Sequence, residues 1–567
     1  MSLYTVNGDT FAADKDGAPL GGSPYASWTA AARAAEADRS PGDSVHYLAP
    51  TPTSAVAYTA VAAGPDDKVT VTTAAPPGNN DLVRMNGTLY VGTFKAYNVT
   101  AGTFDIISPD LGTEAGTFDH WASIVREDTN DAGVKQNILG PWSGTIQQPP
   151  PVFYDPMYYT KDGTIYGDVN VDGVGVTSFK CTPIGPPLLS SIFHNECNIS
   201  MRDISWTDGF VPHMIQSAPS TFENMQFFGV DEPFVALLDY RTMYADAANG
   251  DFSLVRTNTI KDCKIHDSKN FCVFSAGGGH RFLNNQFIKA LNGDGSSAAA
   301  FVFESLGHYS VWTDQTDGPI WSEAYDNQWI GNLFDITDGG LAAGFIRDFR
   351  QGYPGDIVNY DRPHVADGWL IAGNTFQCRE KVAQCINLSA GRAEAYGQDP
   401  GVSRNHQIIG NTFEGALAPQ TFANYPHTVT CAHIMLQASE DSEFDRGEIS
   451  NVEISGNVFT NIKPAGAAKG PAIYLRTDKA NSSIYGVDMI ANDFSGSAWV
   501  PLNDATLNPP LIILDKYVNG CKYQMLGNYP SIDSNPVLSA YVRDLGSGNQ
   551  AVGERAVPNT AVGPTYK

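Results

Sequence analysis

A short text, Gly or another small residue followed by Asn-x-Phe, returns along this chain at intervals that fit no fixed period. Its clear copies are Asn285 to Phe287, Asn332 to Phe334, Asn374 to Phe376, Asn411 to Phe413, Asn457 to Phe459 and Asn492 to Phe494. A decayed copy at Asn528–Tyr529 closes the series, and Asn224 to Phe227 opens it. From Asn285 to Asn528 the Asn-to-Asn spacings are 47, 42, 37, 46, 35 and 36 residues. Solenoids of the leucine-rich, ankyrin or propeller kinds keep a tighter period than this. Constant strand text at variable spacing requires strands that stack in register while the loops between them vary freely in length.

A second apolar segment follows most copies after a short link. These segments end at Asp239, Ser275, Glu304, Arg347, Ser389, Gln437, Arg476 and Asp515. Two strand series in step predict an all-β chain wound as a right-handed parallel β-helix solenoid, with an N-terminal capping helix and long loops on one face. In such a coil the Asn side chains form a hydrogen-bonded ladder at the bend. Each Phe points inward and stacks on the Phe of the next coil.

Composition agrees. The chain of 567 residues is 42% hydrophobic and only 17% charged, with 55 Gly and 35 Pro, which suits many short strands joined by turns. One helix is expected, over Ser27 to Asp38, with Ser27 as its cap. The formal charge of −26 repels phosphate backbones and anionic lipid, so neither nucleic acid binding nor membrane insertion is expected. The opening residues show neither a basic stretch nor an apolar core of a secretory signal, and none is expected. Eight cysteines show no CxxC pair and no zinc spacing; they are expected to be buried thiols made in a reducing cytoplasm, with neither a metal nor a cofactor.

Four regions follow from this text. Residues 1–48 hold a strand and the capping helix, and 49–160 read as irregular early coils. Residues 161–530 form the regular solenoid, and 531–567 an extended C-terminal tail. The Asn-x-Phe text resembles that of the pectate-lyase-like right-handed β-helix superfamily, over roughly residues 160 to 530. A second resemblance lies in Ser27 to Ala31 and in Pro41-Gly42-Asp43, which look like the entry to many such solenoids, phage tailspikes among them. An open first coil would leave a bare sheet edge, so a cap is expected there. The tailspike resemblance implies a parallel homotrimer on a virion surface, made in the host cytoplasm and bound to other virion proteins.

The ends of the second strands are expected to form one column, with rungs about 4.8 Å apart. Loops leaving that edge carry Tyr309, Trp312, Trp321, Tyr325, Tyr353 and Tyr360 among many carboxylates, with Arg347, Arg350 and Arg392 nearby. Aromatic faces beside acids and guanidinium groups suit sugar rings, so these residues are the expected substrate contacts of a glycan groove. Glycoside hydrolysis needs two carboxylates, about 5–5.5 Å apart if retaining and about 6.5–9.5 Å if inverting. Glu304 with Asp239 or Asp348 is the expected acid–base pair. β-Elimination on a uronate is the rival chemistry, with arginine neutralising the enolate and His308 or Tyr309 moving the proton. Three functions fit: a tailspike-like protein that binds and cuts a cell-surface polysaccharide, a non-enzymatic virion fibre or decoration protein, and a free polysaccharide lyase or hydrolase, which would be extracellular.

Overall fold

The computed structural model describes residues 2–7, 9–38, 43–48, 53–64, 68–79, 82–108, 110–121, 125–129, 135–139, 142–146, 169–181, 191–195, 199–209, 213–216, 221–230, 234–237, 258–266, 273–276, 278–289, 301–306, 308–311, 320–336, 342–349, 365–391, 400–419, 430–438, 446–462, 470–477, 479–496, 511–525 and 542–552. It divides into two compact units, Met1–Val235 with Asn258–Ser268, and Ala236–Thr257 with Lys269–Lys567.

In the first unit the parallel stack begins at once. Leu3–Asn7 pairs in parallel with Ser44–Leu48, which pairs with the start of Val169–Cys181. Ile199–Gly209, Thr221–Glu223 and Thr259–Lys261 continue the ladder. The expected helix is present at Trp28–Asp38, and Ser27 Oγ accepts the Ala30 N–H at 3.1 Å, as an N-cap should. Its far end is tied to the first strand, where the Tyr4 hydroxyl donates to Asp38 Oδ2 at 2.9 Å and Lys15 pairs with the same carboxylate at 3.0 Å. These contacts anchor the helix; they do not show that it caps the first coil.

Ser44–Leu48 and the start of Val169–Cys181 are neighbouring rungs, so the strands from Thr53 to Trp121 are inserted between two rungs of the stack. Irregular coils were expected there, yet Thr53 to Trp121 form antiparallel sheets instead. One has the order Thr53–Tyr58, Gly116–Trp121, Leu82–Asn86, Val91–Lys95, and the other Thr103–Ile107, Lys68–Thr72, Ala60–Ala63. Alternating residues put Val69, Val71, Val83, Met85, Phe104, Ile106 and Phe118 into a shared core. Local strand text was legible, but nothing local distinguishes a strand that pairs with its hairpin neighbour from one that stacks on the next coil.

Glu114 ties one edge of this core together. Its carboxylate accepts the backbone N–H groups of Thr88, Leu89 and Tyr90 at 2.8–2.9 Å and the Tyr58 hydroxyl at 2.8 Å. Partial burial alone would raise its pKa, but these donors outweigh it and hold the acid down to about 2. A carboxyl with a depressed folded pKa contributes stability above its unfolded value, near 4.5, and loses it as pH falls toward about 2. Glu114→Gln should therefore cost the inserted unit about 1–2 kcal/mol at neutral pH and almost nothing near pH 2. Thermal unfolding of the two proteins across that range checks this, and a pH-independent difference would refute it.

The second unit is a right-handed parallel β-helix, all-β as the sequence predicts. One coil illustrates the winding: Val365–Asp367, a bend at Gly368, Leu370–Ala372, a bend at Gly373, Thr375–Gln377, a turn, then Val382–Ser389. The strands of the coil pair in parallel with their counterparts 28–48 residues on, as Thr375–Gln377 does with Thr412–Glu414 and these with Val458–Thr460.

The Asn ladder is present. Asn285 Nδ2 donates to Asn332 Oδ1, and the same bond repeats from Asn332 to Asn374, then Asn411, Asn457 and Asn492, all at 2.9–3.0 Å. The second Nδ2 hydrogen of each later Asn reaches a carbonyl of the preceding coil, as Asn411 does to Ile371 at 2.9 Å. Beside the ladder run the Phe rings, with centroids 4.8–4.9 Å apart and nearly parallel from Phe287 through Phe334, Phe376, Phe413 and Phe459 to Phe494.

Both bends of the coil use left-handed backbone. Asn284, Gly331, Gly373, Gly410, Gly456 and Ala491 precede the ladder Asn with φ of 54–69°. The other bend falls six residues before that Asn, at Gly279, Asp326, Gly368, Asn405, Asn451 and Gly486. Gly, Asn and Asp are the residues that enter this region at least cost. Gly368 also sits against the Asp326 side chain, where a Cβ would collide.

The stack runs past residue 530. Val542–Asp544 pairs with Ile512–Leu514, and Gln550–Ala551 with Lys522–Met525, so part of the expected tail is one more coil. Asn528 itself lies outside the described residues. In this coil Asn549 follows the companion bend at Gly548; its Oδ1 accepts the Cys521 N–H at 2.9 Å and its Nδ2 donates to Val518 O at 3.1 Å.

Candidate functional site

The second strands of this unit, Val273–Ala276, Phe301–Leu306, Ala342–Phe349, Val382–Ser389, Ala432–Gln437, Ile473–Arg476, Ile512–Leu514 and Val542–Asp544, form one parallel ladder. Its inward face is set by register: Phe303, Ile346, Ile386, Ile434, Ile473, Ile512 and Val542 lie on successive rungs. Phe345 and His433 also face the core, against Phe376 at 5.8 Å and Phe413 at 6.1 Å.

The outward face is polar and covered. Arg347, Gln384, Asn387, Ser389 and Gln437 are all buried, although none belongs to the apolar core. Gln384 Nε2 donates to Thr430 O at 2.7 Å, and its Oε1 accepts from Asn387 Nδ2 at 3.0 Å. Among the described residues, the Asn387 Oδ1 atom is buried without a hydrogen-bond partner. An unmet acceptor of this kind costs about 1–3 kcal/mol, which a ligand donor would recover.

Farther along the same face, the Tyr474 hydroxyl donates to Asp515 Oδ2 at 3.0 Å, and Arg476 reaches Thr430 Oγ1 at 3.3 Å. Burial pushes the Asp515 carboxyl above the ordinary carboxylate range, and it does so against Tyr474, Arg543 and Arg476, which pull the other way. Burial, then Asp515, push the Tyr474 hydroxyl up in turn. A carboxyl beside a tyrosine and two guanidinium groups offers a ligand both acceptors and donors of hydrogen bonds.

The single column expected from the sequence is two columns. Glu304 pairs with Phe274 and Arg347, and Arg347 pairs with Asn387, whose line continues to Met435, Tyr474, Ile513 and Arg543. Ser389, Gln437 and Arg476 form the other line, two residues farther on, and Asp515 is its next member. Ser275 pairs with Ser305 rather than with Glu304. The offset arises because Ile386 stacks on Ile346, not on Gly344: burial of the large apolar side chain fixes register.

The remaining expected residues separate into three groups. Asp348 pairs with Ser305, one position beyond the rung that joins Glu304 to Arg347; for Glu304 and Asp348 the backbone alone is described. Tyr309 and Trp321 stand on a hairpin, His308–Val311 against Ile320–Tyr325, at successive positions of its ladder, where a loop was expected. Tyr325 pairs with Asp367 in a different strand series, and so is not on the ladder of Glu304 and Arg347. Asp239, Trp312, Arg350, Tyr353, Tyr360 and Arg392 lie outside the described residues. The sequence puts Arg476 and Asp515 in the expected column but singles out neither Tyr474 nor Asn387. Tyr474 and Asn387 carried a signal: each is a polar residue alternating with two apolar ones in strand text.

Among the described residues no group of three His, Cys, Asp or Glu side chains could hold a metal ion, and no helix is long and apolar enough to cross a membrane. No family model matches the chain, and no curated protein does. Solved structures similar to it include a surface protein and adhesin of Streptococcus pneumoniae, at 12% identity over 69% of this chain and 90% of that one, with a TM-score of 0.33. The catalytic unit of a GH87 α-1,3-glucanase from Streptomyces thermodiastaticus matches at 10% identity over 79% of this chain and 88% of its own, with a TM-score of 0.32. A family 28 exopolygalacturonase from Yersinia enterocolitica matches at 10% over 88% and 99%, with a TM-score of 0.30. Likenesses this distant place neither a substrate nor a reaction on this chain.

Proposed function

We propose that this chain is a tailspike-like protein of a virion surface, which lays a cell-surface polysaccharide along the outward face of the second-strand ladder and cuts it by glycoside hydrolysis. The observation that carries the reading is that covered polar face, where among the described residues Asn387 Oδ1 lacks a partner and Tyr474, Arg476 and Asp515 stand together. A glycan supplies a row of hydroxyls, each both donor and acceptor, which is what such a face can satisfy. Glu304, on the rung that pairs it with Arg347, and Asp348, one position beyond that rung, are the proposed acid–base pair. Asp239 completes the proposed catalytic set, with the aromatic and arginine residues named above as substrate contacts. The assembly proposed is a homotrimer joined to other virion proteins.

A second reading, binding without cleavage, is favoured by the surroundings of Asp515: among the described residues its ionisable neighbours are Tyr474, Arg543 and Arg476, none of them a carboxylate. One experiment separates the two. Purified wild-type protein, Glu304→Gln and Asp515→Asn are incubated with surface polysaccharides, and binding, reducing ends and ultraviolet absorbance of unsaturated sugars are followed. Glu304→Gln should bind normally but release reducing ends about 10²–10⁴-fold more slowly. Asp515→Asn should bind about tenfold more weakly. Binding with no new ends would leave the adhesin reading, absorbance would replace hydrolysis by elimination, and no binding to any glycan would end both.

A further inference from the structure

All five cysteines whose side chains are described, Cys263, Cys378, Cys385, Cys431 and Cys521, are buried thiols outside any disulfide. Two of them differ from the rest. Cys378 Sγ and Cys385 Sγ lie 3.3 Å apart, across the turn that joins Thr375–Gln377 to Val382–Ser389. A disulfide needs sulfurs about 2.0 Å apart, so closing the gap takes small side-chain rotations and no transfer of strands. The turn between them is tight and open to solvent: Arg379 and Glu380 are exposed and both adopt left-handed backbone, with φ of 46° and 57°. Opening those residues alone would bring an oxidant to the sulfurs without disturbing the Phe stack.

We propose that Cys378 and Cys385 are a redox-active pair that closes to a disulfide, clamping this turn, when the chain meets an oxidising medium. The reaction balances with a small disulfide, RSSR, as oxidant. The Cys378 thiolate attacks one sulfur to form a mixed disulfide and releases RS⁻; the Cys385 thiolate displaces the second RS⁻. Two protein thiols are oxidised by two electrons, RSSR is reduced to two RSH, and the thiol protons pass to the leaving thiolates. The surroundings support the order of attack. Burial raises both thiols, but at Cys378 the Cys385 S–H and the His433 ring outweigh it and hold that thiol below the ordinary range, while Cys385 is pushed further up. Cys378 is thereby the attacking sulfur and Cys385 the resolving one. Cys431 and Cys263, by contrast, are pushed up to about 12 by burial.

The closed pair would fasten the root of Val382–Ser389, the strand that presents Gln384, Asn387 and Ser389, so a chain made reduced would stiffen there once outside a cell. The test uses the folded full-length protein in oxidised glutathione, followed by acid quenching, denaturation, alkylation and peptide mapping. Wild type should lose two of its eight alkylatable thiols, with Cys378 linked to Cys385, and dithiothreitol should restore both. Cys385→Ser should instead retain glutathione on Cys378, the step that wild type resolves. Eight thiols still alkylated, a link through any other cysteine, or a Cys385→Ser variant free of glutathione would each overturn the proposal.

Discussion

Replacing Asn411 with alanine should cost the second unit about 3–5 kcal/mol, at the upper end for a single polar side chain. The carboxamide makes four bonds. Its Oδ1 accepts both the backbone N–H and the Nδ2–H of Asn374 at 2.9 Å, and its Nδ2 donates to Asn457 Oδ1 at 3.0 Å and to Ile371 O at 2.9 Å. Deleting it leaves a backbone donor and a side-chain donor on Asn374 in an interior without water to take their place. Asn411→Asp keeps the shape but sets a carboxylate oxygen against Asn457 Oδ1 and Ile371 O, two acceptors, so it should be no better and should worsen as pH rises. Denaturant unfolding gives the free energy, and hydrogen exchange at the Asn374 amide locates the loss. A cost below about 1 kcal/mol, or unchanged protection of that amide, would show that the ladder decorates the stack without holding it.

This ladder was legible in the sequence because it depends on a side chain, and side chains are written in the text. Asn at 285, 332, 374, 411, 457 and 492 announces itself, as does the Phe two residues on. The companion bend, six residues earlier, went unread because its members share a backbone conformation and not a chemistry. Asp326, Gly368, Asn405 and Gly486 are alike only in tolerating positive φ. A search for Gly, Asn or Asp at that fixed offset would have found it. Register in the second strands failed for a related reason. Gly344 and Ile386 each open an apolar segment, yet stacking joins Ile386 to Ile346, and a pattern of letters does not weigh side-chain volume.

The candidate site was legible to a smaller degree. Arg476 and Asp515 carry a signal as polar residues closing apolar strand text, since alternation sends the strand's polar residues outward. Tyr474, which donates to Asp515, was absorbed into the apolar text around it. Its partner arrives 41 residues later, through a loop whose length carries no information about where it returns. The inserted antiparallel sheets were missed for the same reason. Val69 and Val71 alternate as any half-buried strand does, and only the return of the chain at Phe104 and Ile106 decides the pairing.

Removing the ring of Phe413 should match the Asn411 effect, at about 3–5 kcal/mol, but by a different route. The ring lies between Phe376 at 4.9 Å and Phe459 at 4.8 Å, with the His433 imidazole edge-on at 6.1 Å, and it is fully buried. Alanine there opens a cavity that the flanking coils cannot collapse into, because each is pinned by its own Asn and its own parallel ladder. In a stack where each coil touches only its neighbours, one lost ring weakens two interfaces at once. Phe494, stacked against Phe459 at 4.8 Å near the end of the row, should cost roughly half as much when cut to alanine. Because Phe413 and Asn411 share a coil and are two residues apart, their double variant should fall short of additivity. Equal costs at Phe413 and Phe494, measured by denaturant unfolding, would mean that the rings act singly and that stacking along the row adds nothing.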